Sequence, residues 1–194
     1  MFHLILPSVV KRLRDFRNGT AGSVAIEALL LMPILFWAYL AMFSFFDMLR
    51  QQSLNQKTSF TIADMLSRET DFINDTYITN AHNLFKTAIR SDSSTAMRIS
   101  VLKWSDSDDK FLVDWSKVRG PSTALTDGAV ATWKQKLPLM PSNERIILVE
   151  TWTDYEIPFE TGMDDFEINT FTFIRPRFAP QLPFSNTGSN NGTS

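Results

Sequence analysis

The chain has 194 residues, 44% of them hydrophobic and 21% charged, with a formal net charge of −2. This composition excludes a disordered polar polymer and offers no basic surplus for binding nucleic acid. The absence of cysteine excludes a disulfide framework, thiolate metal sites and cysteine nucleophiles.

Charge divides unevenly along the chain. Up to Phe46 the basic residues Lys11, Arg12, Arg14 and Arg17 face only Asp15 and Glu27, whereas the remainder is net acidic. From Ala28 to Phe46 no charged residue occurs, which is close to the ~20 apolar residues that cross a bilayer core. A cleavable secretory signal has a shorter apolar region, roughly 7–15 residues, followed by a small-x-small site. Here the run ends in Phe43-Ser44-Phe45-Phe46-Asp47, with no such site. Leu29-Leu30-Leu31-Met32 and Ile34-Leu35-Phe36-Trp37 are apolar on every helical face, so lipid is the expected partner rather than a one-sided protein core. Basic residues flanking a span stay cytoplasmic, which predicts a single-pass protein with its amino end inside and the chain after Asp47 exported.

Just before this run lies Gly22-Ser23-Val24-Ala25-Ile26-Glu27, with one carboxylate at the edge of the apolar segment. An ionisable group at membrane depth costs a few kcal/mol and is generally matched to a specific partner, the alternative being a side chain that snorkels to the interface. Pro33, inside the span, removes a helical hydrogen bond and predicts a local kink.

The stretch from Gly22 to Pro33 resembles a prepilin processing site. More closely, it is similar to the TadE/TadF-like pseudopilins of tight-adherence (Flp-type) pili. The resemblance is strong over about residues 17–46 and weaker over Thr61 to Arg68. It implies that a prepilin peptidase cuts after Gly22, that Ser23 becomes the first residue, that Glu27 is the fifth-position glutamate used in assembly, and that Pro33 follows it at the family's spacing. It further implies a bacterial inner-membrane location and a structural, non-enzymatic role in pilus assembly and cell adhesion. The partners implied are an Flp-type pilin, other TadE/TadF-like subunits and the inner-membrane assembly platform. The exported part is longer than that of a small major pilin, which favours a minor or assembly-associated pseudopilin. The alternative is a signal-anchored envelope protein whose exported domain binds a ligand or scaffolds other proteins.

Beyond Asp47, the absence of glycine and proline from Met48 to Arg68 predicts a helical extension over 47–70, with Phe45, Leu49, Ser53, Gln56, Phe60 and Ala63 on one ragged stripe. A second helix is predicted from Thr76 to Arg90, where Ile78, Ala81, Leu84, Phe85 and Ala88 recur at helical spacing. Alternation in Met97–Val101 and Phe111–Trp115, around the polar Ser105–Asp109, predicts a hairpin. Arg145 to Ile157 and Phe166 to Ile174 predict two further strands joined through Glu160 to Asp165, and Asp127 to Lys136 a short helix. Residues 71–180 are thus expected to form an α+β domain with helices on one face of an antiparallel sheet. The proline-, serine- and asparagine-rich 181–194 is expected to be a flexible tail.

Chemistry-bearing motifs are sparse. The two histidines, His3 and His82, preclude an HExxH or histidine-rich metal site, and the seven glycines form no phosphate-cradling loop or nucleophile elbow. The clusters Asp106-Ser107-Asp108-Asp109 and Asp164-Asp165-Phe166-Glu167 offer carboxylates to a hard cation, but acidic turns are common for their local hydrogen bonding alone. Asn74-Asp75-Thr76 has the form of a glycosylation acceptor. No cofactor and no metal are expected.

Overall fold

A computed structural model of the chain describes residues 11, 12, 14, 15, 21–90, 93–159, 162 and 164–186. Most of the expected leader, and the chain after Asn186, lie outside the described residues. The elements in chain order are α1 (Ala21–Arg68), α2 (Asp75–Ile89), β1 (Thr95–Ser105), β2 (Lys110–Arg119), a single-turn α3 (Asp127–Val130), a 3-10 turn (Trp133–Gln135), β3 (Arg145–Tyr155) and β4 (Phe166–Ile174). The protein is α+β, as the periodicities predict. The chain falls into two compact units, Met1–Phe46 with Pro158–Met163, and Asp47–Ile157 with Asp164–Ser194.

In the first unit, α1 presents apolar side chains to solvent over most of its surface, with Leu40 and Ala41 half-buried and Ser44 buried toward its end. From Val24 to Phe46 its leucines, isoleucines and aromatics stand largely exposed, and the segment is long and apolar enough to cross a membrane. At ~1.5 Å per residue it extends about 35 Å, against a hydrocarbon core of about 30 Å. The helix continues unbroken through Pro33, whose missing N–H leaves the Leu29 carbonyl without its helical donor.

The second unit is a four-stranded antiparallel sheet of order β2-β1-β3-β4. Alternation along β1 and β3 sends Met97, Ile99, Val101, Ile147 and Val149 to one face, where they pack with Ile62, Ala63 and Leu66 of α1 and Ile78, Ala81, Phe85 and Ile89 of α2. The helices thus share one face of the sheet. The other face carries a smaller core of Leu102, Trp104, Phe111, Ile146 and Leu148, covered by Leu125, Val130, Leu137 and Met140 from the β2–β3 connection. A bulge between Val101 and Leu102 leaves Asp114 as the extra residue on β2. Gly120 has φ +87°, and a Cβ there would meet the Thr95 carbonyl oxygen at 2.3 Å, so only glycine lets the chain leave β2 across the start of β1.

Three expectations need correction. The helical extension expected over 47–70 is present, α1 running to Arg68, but it belongs to the folded unit, because Ile62, Ala63 and Leu66 are part of the core and the compact unit begins at Asp47 rather than at residue 71. Its buried face also differs from the predicted stripe: Phe45, Leu49, Gln56 and Phe60 are exposed, while Asn55, Ser59, Ile62, Leu66 and Ser67 are buried. The chain over 181–186 is no tail either. Leu182 is buried in the core, Ile73 pairs with Phe184 in a parallel bridge, and the Trp115 indole donates to the Leu182 carbonyl at 2.6 Å. Prolines there exclude regular structure but leave the neighbouring apolar side chains free to pack.

The burial pattern of α1 sets a test in urea titrations of the detergent-solubilised full chain followed by tryptophan fluorescence. Leu66→Ala is expected to lower the unfolding free energy by about 2–5 kcal/mol. Phe60→Ala, at a side chain 55% exposed, should change it by no more than about 0.5 kcal/mol.

Candidate functional site

The sequence singles out Gly22, Ser23, Glu27 and Pro33, and all four lie on α1, Gly22 and Ser23 in its first turn. Four residues separate Ser23 from Glu27, so the two positions share a helix face, about 6 Å apart along the axis. Glu27 is exposed, and so are Val24, Ile26, Leu30 and Leu31 around it. Among the described residues no ion pair or hydrogen bond engages its carboxylate. The site is thus a single acidic group on an otherwise apolar cylinder, open to a partner approaching from the side.

The acidic clusters occupy turns. Asp106 accepts the Trp104 indole N–H at 2.6 Å, Asp108 accepts the Ser105 hydroxyl at 3.0 Å, and Asp109 pairs with Lys134 at 2.6 Å. In the second cluster Asp165 accepts the Ile157 backbone N–H at 2.8 Å. Each of these carboxylates is engaged locally, and among the described residues no group of three or more metal-ligating side chains assembles. Asn74, of the acceptor-like triplet, caps α2 by accepting the Tyr77 N–H at 2.8 Å.

Two polar features escape a reading by composition. Across β1 and β3, Arg98 and Glu150 are register partners, joined at 2.6 Å with side chains only 11% and 8% exposed. Arg98 also donates to the Thr123 carbonyl and lies 5.0 Å from the centre of the Trp152 ring. A paired, fully bonded charge of this kind fixes the strand register, since removing either partner would strand the other in a dry site. Along α1, Asp47 accepts from the Tyr155 hydroxyl at 2.8 Å, Asn55 accepts from the Thr153 hydroxyl at 2.7 Å, and Ser59 donates to Thr172 at 3.1 Å. Burial, together with the Asp47 carboxylate, raises the Tyr155 pKa. Both features depend on register, and no periodicity encodes which charge or hydroxyl faces which.

Among the described residues, one groove lies between α1 and β4, lined by Gln52, Gln56, Asn169 and Thr172, and another is lined by Glu144, Arg145, Arg175 and Pro180. Neither lining contains a histidine or a nucleophile paired with a base. Glu144 is tied to Arg175 at 3.1 Å, and Arg145 to Asp114. Comparison with known proteins finds no match to this chain among protein-family models, curated proteins or solved structures.

His82, on α2, lies with Nε2 3.1 Å from the Thr95 hydroxyl. Burial holds its pKa below the ordinary value, the Lys86 and Arg119 charges add to the depression, and hydrogen bonding with the Thr95 backbone opposes it. The folded state therefore binds this proton more weakly than the unfolded chain does. The stability it contributes is complete above the unfolded-chain pKa of about 6.5 and is lost as pH falls through the folded value. The urea midpoint is accordingly expected to fall on acidification from about pH 7.5 to 5, and His82→Gln should remove part of that fall.

Proposed function

We propose that this chain is a membrane-anchored prepilin-like subunit, processed after Gly22 and taking part in assembly of a tight-adherence pilus from the bacterial inner membrane. The observation that carries the reading is the Val24–Phe46 segment of α1. Its apolar side chains stand largely exposed, its one carboxylate or basic group is Glu27, that group lies four residues beyond Ser23, and the same helix runs on to Arg68. The basic residues Lys11, Arg12, Arg14 and Arg17 hold the amino end in the cytoplasm, and the sheet domain is exported. Cleavage after Gly22 leaves a charged amine on Ser23 at the membrane surface. Glu27 compensates that charge, within one chain or between axially staggered neighbours, as the apolar helices draw together in low dielectric. The partners of this role are a prepilin peptidase, an Flp-type pilin, other TadE/TadF-like subunits and the assembly platform. The role is structural rather than enzymatic.

The mature amino terminus tests the processing step. Protein extracted from membranes of cells with an active prepilin peptidase should begin at Ser23 by mass spectrometry, and Gly22→Leu should leave it uncut, since a bulky side chain crowds the scissile peptide. Intact Met1 on the wild-type protein would overturn the processing step and favour a signal-anchored binding or scaffolding module.

Glu27 tests the assembly step separately. Glu27→Ala should retain cleavage, insertion and the folded domain yet lose pilus assembly, with Glu27→Gln impaired less because it still hydrogen-bonds. Removing a charge from an apolar span favours insertion, so undiminished protein with lost assembly would separate partner recognition from stability. Normal pili from Glu27→Ala would refute the carboxylate's role.

A further inference from the structure

The turn between β3 and β4 carries an apolar tip that the pilus role does not use. Pro158 and Phe159 group with the part of α1 up to Phe46 rather than with the sheet. Within that unit the Phe159 ring stands edge-on to Phe43, with centroids 5.9 Å apart and planes at 66°. Phe159 nevertheless remains 41% exposed, as do Phe43, Phe45 and Phe46 to a similar or greater degree. Exposed aromatics from two separate parts of the chain therefore lie at one level of the helix.

That level can be placed. Asp47 is the first charged residue after Glu27, and Phe43 lies four residues before it, about 6 Å along the axis. The interfacial zone on each side of a bilayer core is itself roughly 5–7 Å deep. A ring beside Phe43 thus sits at the boundary between headgroups and acyl chains, where the apolar face of a surface-bound segment comes to rest.

We propose that the Pro158–Phe159 tip is a second membrane contact, inserting the Phe159 ring into the lipid interface beside α1. The inference rests on α1 spanning a bilayer and is independent of the pilus role. Because the chain has no cysteine, a bimane fluorophore can be attached at single introduced cysteines of the full-length protein in phosphatidylcholine–phosphatidylglycerol vesicles containing brominated lipid. Quenching is expected at Pro158→Cys and at Leu30→Cys, in the middle of the span, and not at Asp108→Cys in the β1–β2 turn. Adding Phe159→Ser should abolish quenching at position 158 and leave that at position 30 unchanged. Quenching at 30 without quenching at 158 would overturn the loop contact and leave the span standing, and quenching at 158 that survives Phe159→Ser would overturn the insertion of the Phe159 ring. Absence of quenching at both 158 and 30 would overturn the loop contact together with the membrane span.

Discussion

Everything in this protein depends on one helix meeting two different requirements along its length. In lipid, a backbone must satisfy its own hydrogen bonds and its side chains must be predominantly apolar, which Val24 to Phe46 achieves apart from the Leu29 carbonyl freed by Pro33 and the polar Glu27, Tyr39 and Ser44. From Asp47 onward the same helix is one-sided, burying Ile62, Ala63 and Leu66 against the sheet while Phe60 and Met65 remain exposed. The change occurs within the one helix α1.

The one-sided half is held by more than apolar area. Asn55, Ser59 and Ser67 are buried, and each is hydrogen-bonded: Asn55 to Thr153, Ser59 to Thr172, Ser67 to the Asp64 carbonyl. Buried polar groups cost stability when left unpaired and little when paired. Sliding α1 by one turn along β3 and β4 would break two of these bonds at once, so the polar seam fixes the position that an apolar contact alone would leave loosely specified. Arg98 and Glu150 do the same for the strands on the opposite face. The two faces divide the work: α1 and α2 close the larger core, and the β2–β3 connection closes the other side around Trp104 and Phe111.

Local periodicity in the sequence reveals the elements and hides their matching. The α2 stripe of Ile78, Ala81 and Phe85, the hairpin around Ser105–Asp109 and the last two strands can be found because a 3.6- or 2-residue repeat is a property of one segment. The buried face of α1 eludes that reading because Asn55 and Ser59 lie in it, and a pattern of hydrophobicity assigns such residues to the surface. Leu182 and Phe184 are obscured in another way, since three nearby prolines suggest a tail although the side chains between them close the core. The Arg98–Glu150 pair requires knowledge of register, which arises only when β1 and β3 meet. At the candidate site the position is reversed: Gly22, Ser23 and Glu27 are conspicuous by sequence, because a carboxylate beside an apolar run is anomalous before any fold is known.

That anomaly carries the functional argument one step further. A carboxylate drawn from the edge of a span toward its centre comes to cost a few kcal/mol, and among the described residues nothing on the chain offsets it. The sheet domain is already closed by its own pairs, Arg98 with Glu150, Lys134 with Asp109 and Arg119 with Asp75. Under the proposed role the compensating charge is made by the processing reaction itself, as the amine on Ser23 one helical turn away. Before the cut that nitrogen is an uncharged peptide, so the same reaction that removes the basic leader creates the group that relieves Glu27. Processing would then do more than free the helix: it would convert an unmatched carboxylate into one half of a contact that a neighbouring subunit can complete.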